Sequence, residues 1–254
     1  MKRKIMVLAV ESRTTWMITN ALLNAHSNVE VVFLEKQSKI KILISRYKKN
    51  GLLNAVGQLI FFVFSKIFIS QRSKYVKDLI SQANLVDHNI SDLKVVKLSS
   101  EEDINLVKYL KNFDPDIVVV NGTKILSKRI LDSCNAKFIN LHCGITPTYR
   151  GVHGAYWALV NNDIKNCGVT IHEVDYGIDT GLVYYQERIN ISESDNFNVY
   201  PYKQYISGIP LMLQAIKDIQ ENKVFNFQNN QPSKLYQHPT IIEYLHSRFK
   251  FGIK

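Results

Sequence analysis

The chain has 254 residues, 46% of them hydrophobic and 21% charged, and a net charge of +10 at pH 7. That length allows one large domain, or one domain with a small appendage. The composition excludes low-complexity and repeat proteins, and the three cysteines (Cys134, Cys143 and Cys167) lack the spacing of a disulfide framework or zinc ribbon.

Reduced thiols imply a cytoplasmic protein. The positive charge fits either an attraction to polyanions or a solvated lysine-rich surface. The basic start Met1-Lys2-Arg3-Lys4 turns apolar, but only briefly before Glu11-Ser12-Arg13. That fits a first strand at residues 4–10 better than a signal peptide. A helix at 14–25 and a strand at 29–34 complete a β-α-β opening, which predicts a parallel sheet with a crossover helix.

Residues 51–70 read GLLNAVGQLIFFVFSKIFIS, with Lys66 as the single charge. Length alone makes this stretch a marginal membrane-span candidate. Against that, Asn54, Gln58 and Ser65 recur at helical spacing as a thin polar stripe, and two glycines interrupt the run. The expected placements are, in order, a helix packed on the domain or at a homodimer contact, an interfacial helix peripheral to the inner membrane face, and a true span. In the interfacial case Lys48, Lys49, Arg72 and Lys74 would face anionic headgroups.

Farther on, Ser100 with Asp103 resembles a capping box before a helix at 104–112. Asp114-Pro115 stops that helix, and residues 116–121 have the apolar character of a central strand. A short helix at 127–134, a strand at 137–142, a helix at 154–160 and strands at 168–174 and 182–189 follow. Residues 199–221 predict a long helix in which Gly208 and Pro210 make an irregular start or a kink. The last thirty residues, polar and aromatic, receive no assignment.

The residues able to carry chemistry concentrate between 140 and 181. The stretch opens Asn140-Leu141-His142-Cys143-Gly144-Ile145-Thr146-Pro147-Thr148-Tyr149-Arg150-Gly151 and closes Asp175-Tyr176-Gly177-Ile178-Asp179-Thr180-Gly181. Both groups follow strand-like runs, where open α/β sheets place their ligand crevice. Two residues apart on a strand, Asn140 and His142 share a face, and a carboxamide beside an imidazole can donate to one developing oxyanion. Asp179, on a glycine-flanked turn, could orient His142, raise its pKa or relay a proton. A lone Asn-x-His is more often structural, and Asp-x-Gly-x-Asp-x-Gly lacks the remaining ligands of a calcium loop, so no metal is expected. His172 alternates within its strand and reads as structural; Cys143 and Cys167 read as packing thiols.

Together, Asn140 and His142, the Pro147 loop with Tyr149-Arg150-Gly151, and Asp179-Thr180-Gly181 resemble the signature of the folate-dependent formyltransferases. The resemblance is tight over residues 114–189 and looser over the β-α-β opening. It implies an α/β fold of Rossmann-like type, with a mostly parallel central sheet flanked by helices. The catalytic domain would occupy residues 1–190, with a helical insert around 40–80, and a short C-terminal helical extension residues 191–254. It also implies transfer of a formyl group from N10-formyltetrahydrofolate to a primary amine. Asn140 and a protonated His142 would stabilise the oxyanion, and Asp179 would support His142 and help remove the amine proton. The pterin would lie against Gly122, Thr123, Ile125 and Leu126 and against Asp175, Tyr176, Gly177 and Ile178.

Acceptor contacts are sought at Arg13, Tyr149, Arg150, Tyr156 and Trp157. Arg150 either touches the acceptor or ties down its loop, and the aromatic pair either lines a pocket or joins the core. The purine-forming relatives have a glycine-rich phosphate loop after the first strand, where this chain has Glu11-Ser12-Arg13-Thr14-Thr15. The tRNA-modifying relatives have a sizeable C-terminal barrel, and about 65 residues follow Asn190 here, so nucleic acid is not the expected partner. A nucleotide-linked amino sugar destined for surface polysaccharide ranks first as acceptor. Other amines, including a lipid-linked sugar, rank behind it, and a non-catalytic folate or nucleotide sensor is the rival of a different class.

Overall fold

The computed structural model describes residues 3–69, 72–90, 93, 95–99, 103–223 and 231–254. The expected Ser100 cap lies outside them.

Strand β1 (Ile5–Ala9) is buried along its whole length and occupies the middle of the sheet. Helix α1 (Arg13–Ala25) follows, its first turn capped by the Ser12 side chain accepting from the Thr15 amide. It returns the chain to β2 (Val29–Leu34), parallel to β1 with Ile5 opposite Val29. After the helices α2 (Lys39–Ile67) and α3 (Ser73–Gln82) comes β3 (Val96–Leu98), then α4 (Asp103–Phe113). Next, β4 (Ile117–Asn121) crosses to the other side of β1. This reversal opens a crevice at the carboxyl ends of β1 and β4. The short α5 (Lys128–Leu131) leads to β5 (Lys137–His142), parallel to β4.

The rest of the chain closes the antiparallel side. It comprises β6 (Arg150–Gly151), α6 (Gly154–Val160), β7 (Gly168–Glu173), β8 (Val183–Arg188), α7 (Tyr200–Gln220), β9 (Leu235–Tyr236) and α8 (Ile241–Phe251). The seven-stranded order is β3-β2-β1-β4-β5-β7-β8, with β7 and β8 antiparallel to their neighbours. The fold is thus α/β with a mostly parallel, helix-flanked Rossmann-like sheet.

Alternating side chains of the central strands supply two cores. Ile5 and Val7 pack with Met17 and Leu22 of α1 and Met212 and Ile216 of α7, while Met6 and Leu8 pack with Leu106 and Leu110 of α4. Helix α7 is unbroken through Pro210, and at Gly208 it comes so near the sheet that a Cβ would stand 2.8 Å from both Leu141 and Val169. Residues 235–251 form β9 and α8, the latter opened by a capping box between Thr240 and Glu243.

Residues 51–67 belong to α2, a helix broken at Gly51, where φ is +79°. Its inward stripe is Ala55, Gln58, Phe61 and Ser65. Phe61 packs edge-on against Phe197 and tilted against Tyr244 in a third, aromatic core, and Gln58 donates to the His238 carbonyl at 2.8 Å. Two members of the thin polar stripe, Gln58 and Ser65, therefore face the protein, and large apolar side chains face outward. No helix among the described residues is long and apolar enough to cross a membrane.

Candidate active site

Asn140 and His142 stand at the carboxyl end of β5, on the face that borders a cleft of about 590 Å³. The antiparallel pairing with β7 puts His172 directly opposite Asn140. Side chains so opposed are close neighbours, and His172 Nε2 lies 3.3 Å from Asn140 Nδ2. Its Nδ1–H donates to the Glu173 carbonyl at 2.7 Å, which fixes the ring. Sequence reasoning took His172 as structural and missed this placement, because the register of two strands thirty residues apart is not a local property.

Asp179 reaches the same point from the turn after β7, with φ at +52°. Its Oδ2 stands 3.3 Å from His142 Nδ1 and accepts from the Gly151 amide at 2.8 Å, and its Oδ1 stands 3.4 Å from His172 Nε2. Within the turn, the Asp175 carboxylate accepts from the Gly177 amide at 3.0 Å and from the Thr180 hydroxyl at 2.7 Å. The structure thus brings Asn140, His142, Asp179 and His172 into one cluster.

His142 Nε2–H donates to the Tyr149 carbonyl at 2.7 Å. Burial pulls this imidazole below its ordinary value; Asp179 opposes the fall and His172 adds to it. The resting ring is therefore neutral, with its proton held on Nε2 and Nδ1 open toward Asp179. Burial alone would raise the Asp179 carboxyl, but His142, His172 and the Gly151 amide outweigh it and hold the group at about 2. Asp179 is thus ionised at neutral pH. Burial pushes the Cys143 thiol at the cleft wall up to about 12, with Asp179 adding to the rise, so it stays protonated and is no nucleophile.

The far wall is the loop after β4. Gly122, Thr123, Ile125 and Leu126 line it, opposite Asp175, Gly177 and Ile178. Leu126 is buried and Ile125 is 61% exposed. Gly122 takes φ +66°, so the loop turns sharply there. Tyr176 lies outside the cleft lining, its hydroxyl donating to Asp132 at 2.7 Å. Tyr205 donates to Asn121 at 2.6 Å, and Asn121 donates to Thr15 at 2.8 Å, which ties α7, β4 and α1 together.

The five residues expected to touch the acceptor lie elsewhere. Tyr149 is buried, stacked on Tyr236, with its hydroxyl on Asp163. Tyr156 is buried in the aromatic core, and Trp157 stacks on Tyr236 while its indole N–H donates to the Gln237 carbonyl. Arg150 donates to the Ile178 carbonyl at 3.2 Å and so ties the β6 loop to the Asp179 turn. Arg13 pairs with Asp87 and lies over the Tyr202 ring. None of the five lines the cleft. The opposite rim instead holds Arg46, His153 and His238, none of which the sequence singled out as an acceptor contact except through the aromatic stretch after His153.

His153 Nε2 and His238 Nδ1 share a hydrogen bond of 2.9 Å. Burial lowers both, to about 3 and about 4, with Arg46 contributing to each and His238 to His153. Both rings are neutral when folded and titrate near 6.5 when unfolded. The unfolded chain binds more protons below that value, so their stabilisation is complete above about pH 6.5 and is lost as pH falls toward 4. Each contributes a slope of about 1.4 kcal/mol per pH unit in that window. Urea unfolding at pH 7, 6 and 5 checks this, and equal stability at pH 5 and 7 would contradict it. Replacement His153→Asn, whose residue tolerates the positive φ of 58° there, should make the decline shallower. Asp179 adds its own loss only below about pH 4, as pH falls toward 2.

A family model described as "Formyl transferase" matches residues 4–203. The methionyl-tRNA formyltransferase of Thermodesulfovibrio yellowstonii is 38% identical over 116 residues, which are 45% of this chain and 37% of that protein. The chain spans about two fifths of the length of the curated relatives it matches. Glycinamide ribonucleotide transformylase 1 from Symbiobacterium toebii superposes with a TM-score of 0.59 at 16% identity, over 92% of this chain and 95% of that one. The N-formyltransferase from Helicobacter canadensis, solved with folinic acid and dTDP-3-aminofucose, superposes with a TM-score of 0.55 at 18% identity, over 92% and 70% of the two chains. These structural likenesses concern the fold; the family model, which covers most of the chain, shows that the protein belongs to the formyl transferase family.

Proposed function

We propose that the protein transfers a formyl group from N10-formyltetrahydrofolate to the primary amine of a nucleotide-linked amino sugar. The observation that carries the reading is the position of Asp179, which faces His142 and His172 together, beside Asn140 and across the cleft from the loop after β4.

The donor supplies a carbonyl carbon already activated by its bond to N10. The neutral amine attacks that carbon, the carbonyl oxygen takes up negative charge, and the bond to N10 then breaks as N10 gains a proton. Asn140 offers its carboxamide to the oxygen. The amine proton passes to His142 Nδ1, the resulting imidazolium is held between Asp179 and the Tyr149 carbonyl, and the same proton is handed on to N10 as its bond to the formyl carbon breaks, which returns His142 to the neutral form. The slot between residues 122–126 and 175–178 suits the pterin.

The small-molecule acceptor is supported by cleft size and by charge. About 590 Å³ is the scale of a small-ligand site. Outside residues 36–77, the 22 basic residues are matched by 22 acidic ones, which is not the electrostatic footprint of a nucleic-acid surface. Two solved structures of the same fold fit this choice, one in complex with dTDP-3-aminofucose and the other of a sugar 3N-formyl transferase. The test is a transfer assay with radiolabelled formyl-tetrahydrofolate and a panel of nucleotide amino sugars, glycinamide ribonucleotide and methionyl-tRNA. Turnover on a nucleotide sugar alone supports the reading. Turnover on one of the other amines moves the acceptor assignment, and folate binding without turnover on any amine makes the protein a sensor.

A further inference from the structure

Helix α2 is apolar on its outward face as well as on the face that packs against the domain. Between Gly51 and Phe68 the inward stripe contains Gln58 and Ser65, whereas Leu53 is 88% exposed, Ile67 67% and Leu52 63%, with Leu59, Ile60 and Val63 also outward. A contiguous apolar face of this kind marks an interaction surface. Helix α8, packed against α2, continues the pattern with Ile242 and Phe249 exposed.

Charge identifies the occupant. Residues 36–77 contain ten Lys and Arg and no Asp or Glu. The other residues contain 22 of each sign, so the whole net charge of +10 resides on the segment that exposes the apolar face. Lys36, Lys41, Lys48, Lys66, Lys74 and Lys77 are all exposed. A second copy of the chain is a poor match, because an isologous contact would set two such acid-free segments against each other. An anionic lipid surface matches both features: headgroups receive the cations and the acyl boundary receives the leucines, isoleucines and phenylalanines. The straight part of the helix after Gly51, residues 52–67, measures roughly 24 Å at 1.5 Å per residue, short of the ~30 Å hydrocarbon core. It fits a helix lying in the interface, not one crossing it.

We propose that α2 seats the protein on an anionic membrane surface through its outward apolar face and the basic residues of positions 36–77. This does not depend on which amine is formylated, and its test requires no turnover. The full chain is sedimented with vesicles of phosphatidylcholine alone and of equal parts phosphatidylcholine and phosphatidylglycerol, at low and high salt. The expected result is pelleting with the anionic vesicles at low salt, release by salt, and no pelleting with phosphatidylcholine alone. Two double variants, Leu53→Ser with Ile60→Ser and Lys48→Glu with Lys74→Glu, should each lower partitioning about tenfold or more. All four side chains are exposed, so circular dichroism and the thermal midpoint should stay native. Absence of pelleting with anionic vesicles at low salt overturns the proposal, as does pelleting that neither variant weakens. A native dimer that Leu53→Ser with Ile60→Ser converts to monomer, without change in vesicle binding, would assign the face to a second copy instead.

Discussion

Replacing Asp179 with asparagine is expected to lower kcat for formyl transfer by about 10²–10⁴, the range over which a positioned acid–base group contributes, with little change in KM. Asparagine has the same shape and tolerates the left-handed backbone at this position. It can still accept from the Gly151 amide, so the turn keeps its form. The negative charge is what disappears. His142 is buried and already held below its ordinary value, and Asp179 is the charged group that opposes the fall, ahead of the Tyr149 carbonyl. Without the carboxylate, taking the amine proton at Nδ1 would create an uncompensated buried cation. Steady-state kinetics check this, together with a folate-binding measurement to confirm that the donor site is intact. A variant with more than a tenth of native kcat would remove Asp179 from the chemistry.

Gly144→Ala should be nearly as damaging without removing any reactive group. A Cβ at Gly144 would overlap the Tyr149 carbonyl oxygen and stand 2.7 Å from His142 Nε2. Those are the two atoms whose hydrogen bond fixes the His142 ring. The flexible end of a side chain could swing aside, but Tyr149 O is backbone, held in a loop anchored by the ring stack on Tyr236 and by the β6–β9 pairing. Either the loop or the imidazole must shift. Overpacking of this kind typically costs about 1–3 kcal/mol of stability, and an ångström of displacement at a reacting group costs roughly 10² in rate. Thermal unfolding and kcat measured on the same preparation check both effects; native activity in the alanine variant would show that Tyr149 does not set the ring.

What could be read from the sequence follows how local each feature is. Four of the five parallel strands, β1, β2, β4 and β5, announced themselves as short apolar runs because central strands are buried on both faces; the edge strand β3, three residues long and only partly buried, did not. Asn140 and His142 were legible as a pair because two residues apart on a strand always share a side. His172 was not, since its place opposite Asn140 depends on the pairing of β5 with β7. Helical spacing located the polar stripe of α2 but not its direction, and Gln58 turned inward because the His238 carbonyl offers it a partner. Tyr149, Tyr156 and Trp157 were sought at the acceptor and lie instead in or against an aromatic core that α2, α6 and α8 build together. No stretch of sequence by itself shows that these three helices meet. The Thr240 and Glu243 cap was written locally and could have placed α8.

The opposition of Asn140 and His172 makes catalytic geometry and strand alignment one constraint. Were β7 displaced by a single position, Ile171 or Glu173 would stand where the imidazole now stands, and the intended ring would point through the sheet to its other side. Insertions or deletions inside β5 or β7 would therefore abolish the centre even in a chain that still folds. The outward face of α2 carries no such tie, which leaves it free to diverge while the reacting centre stays the same.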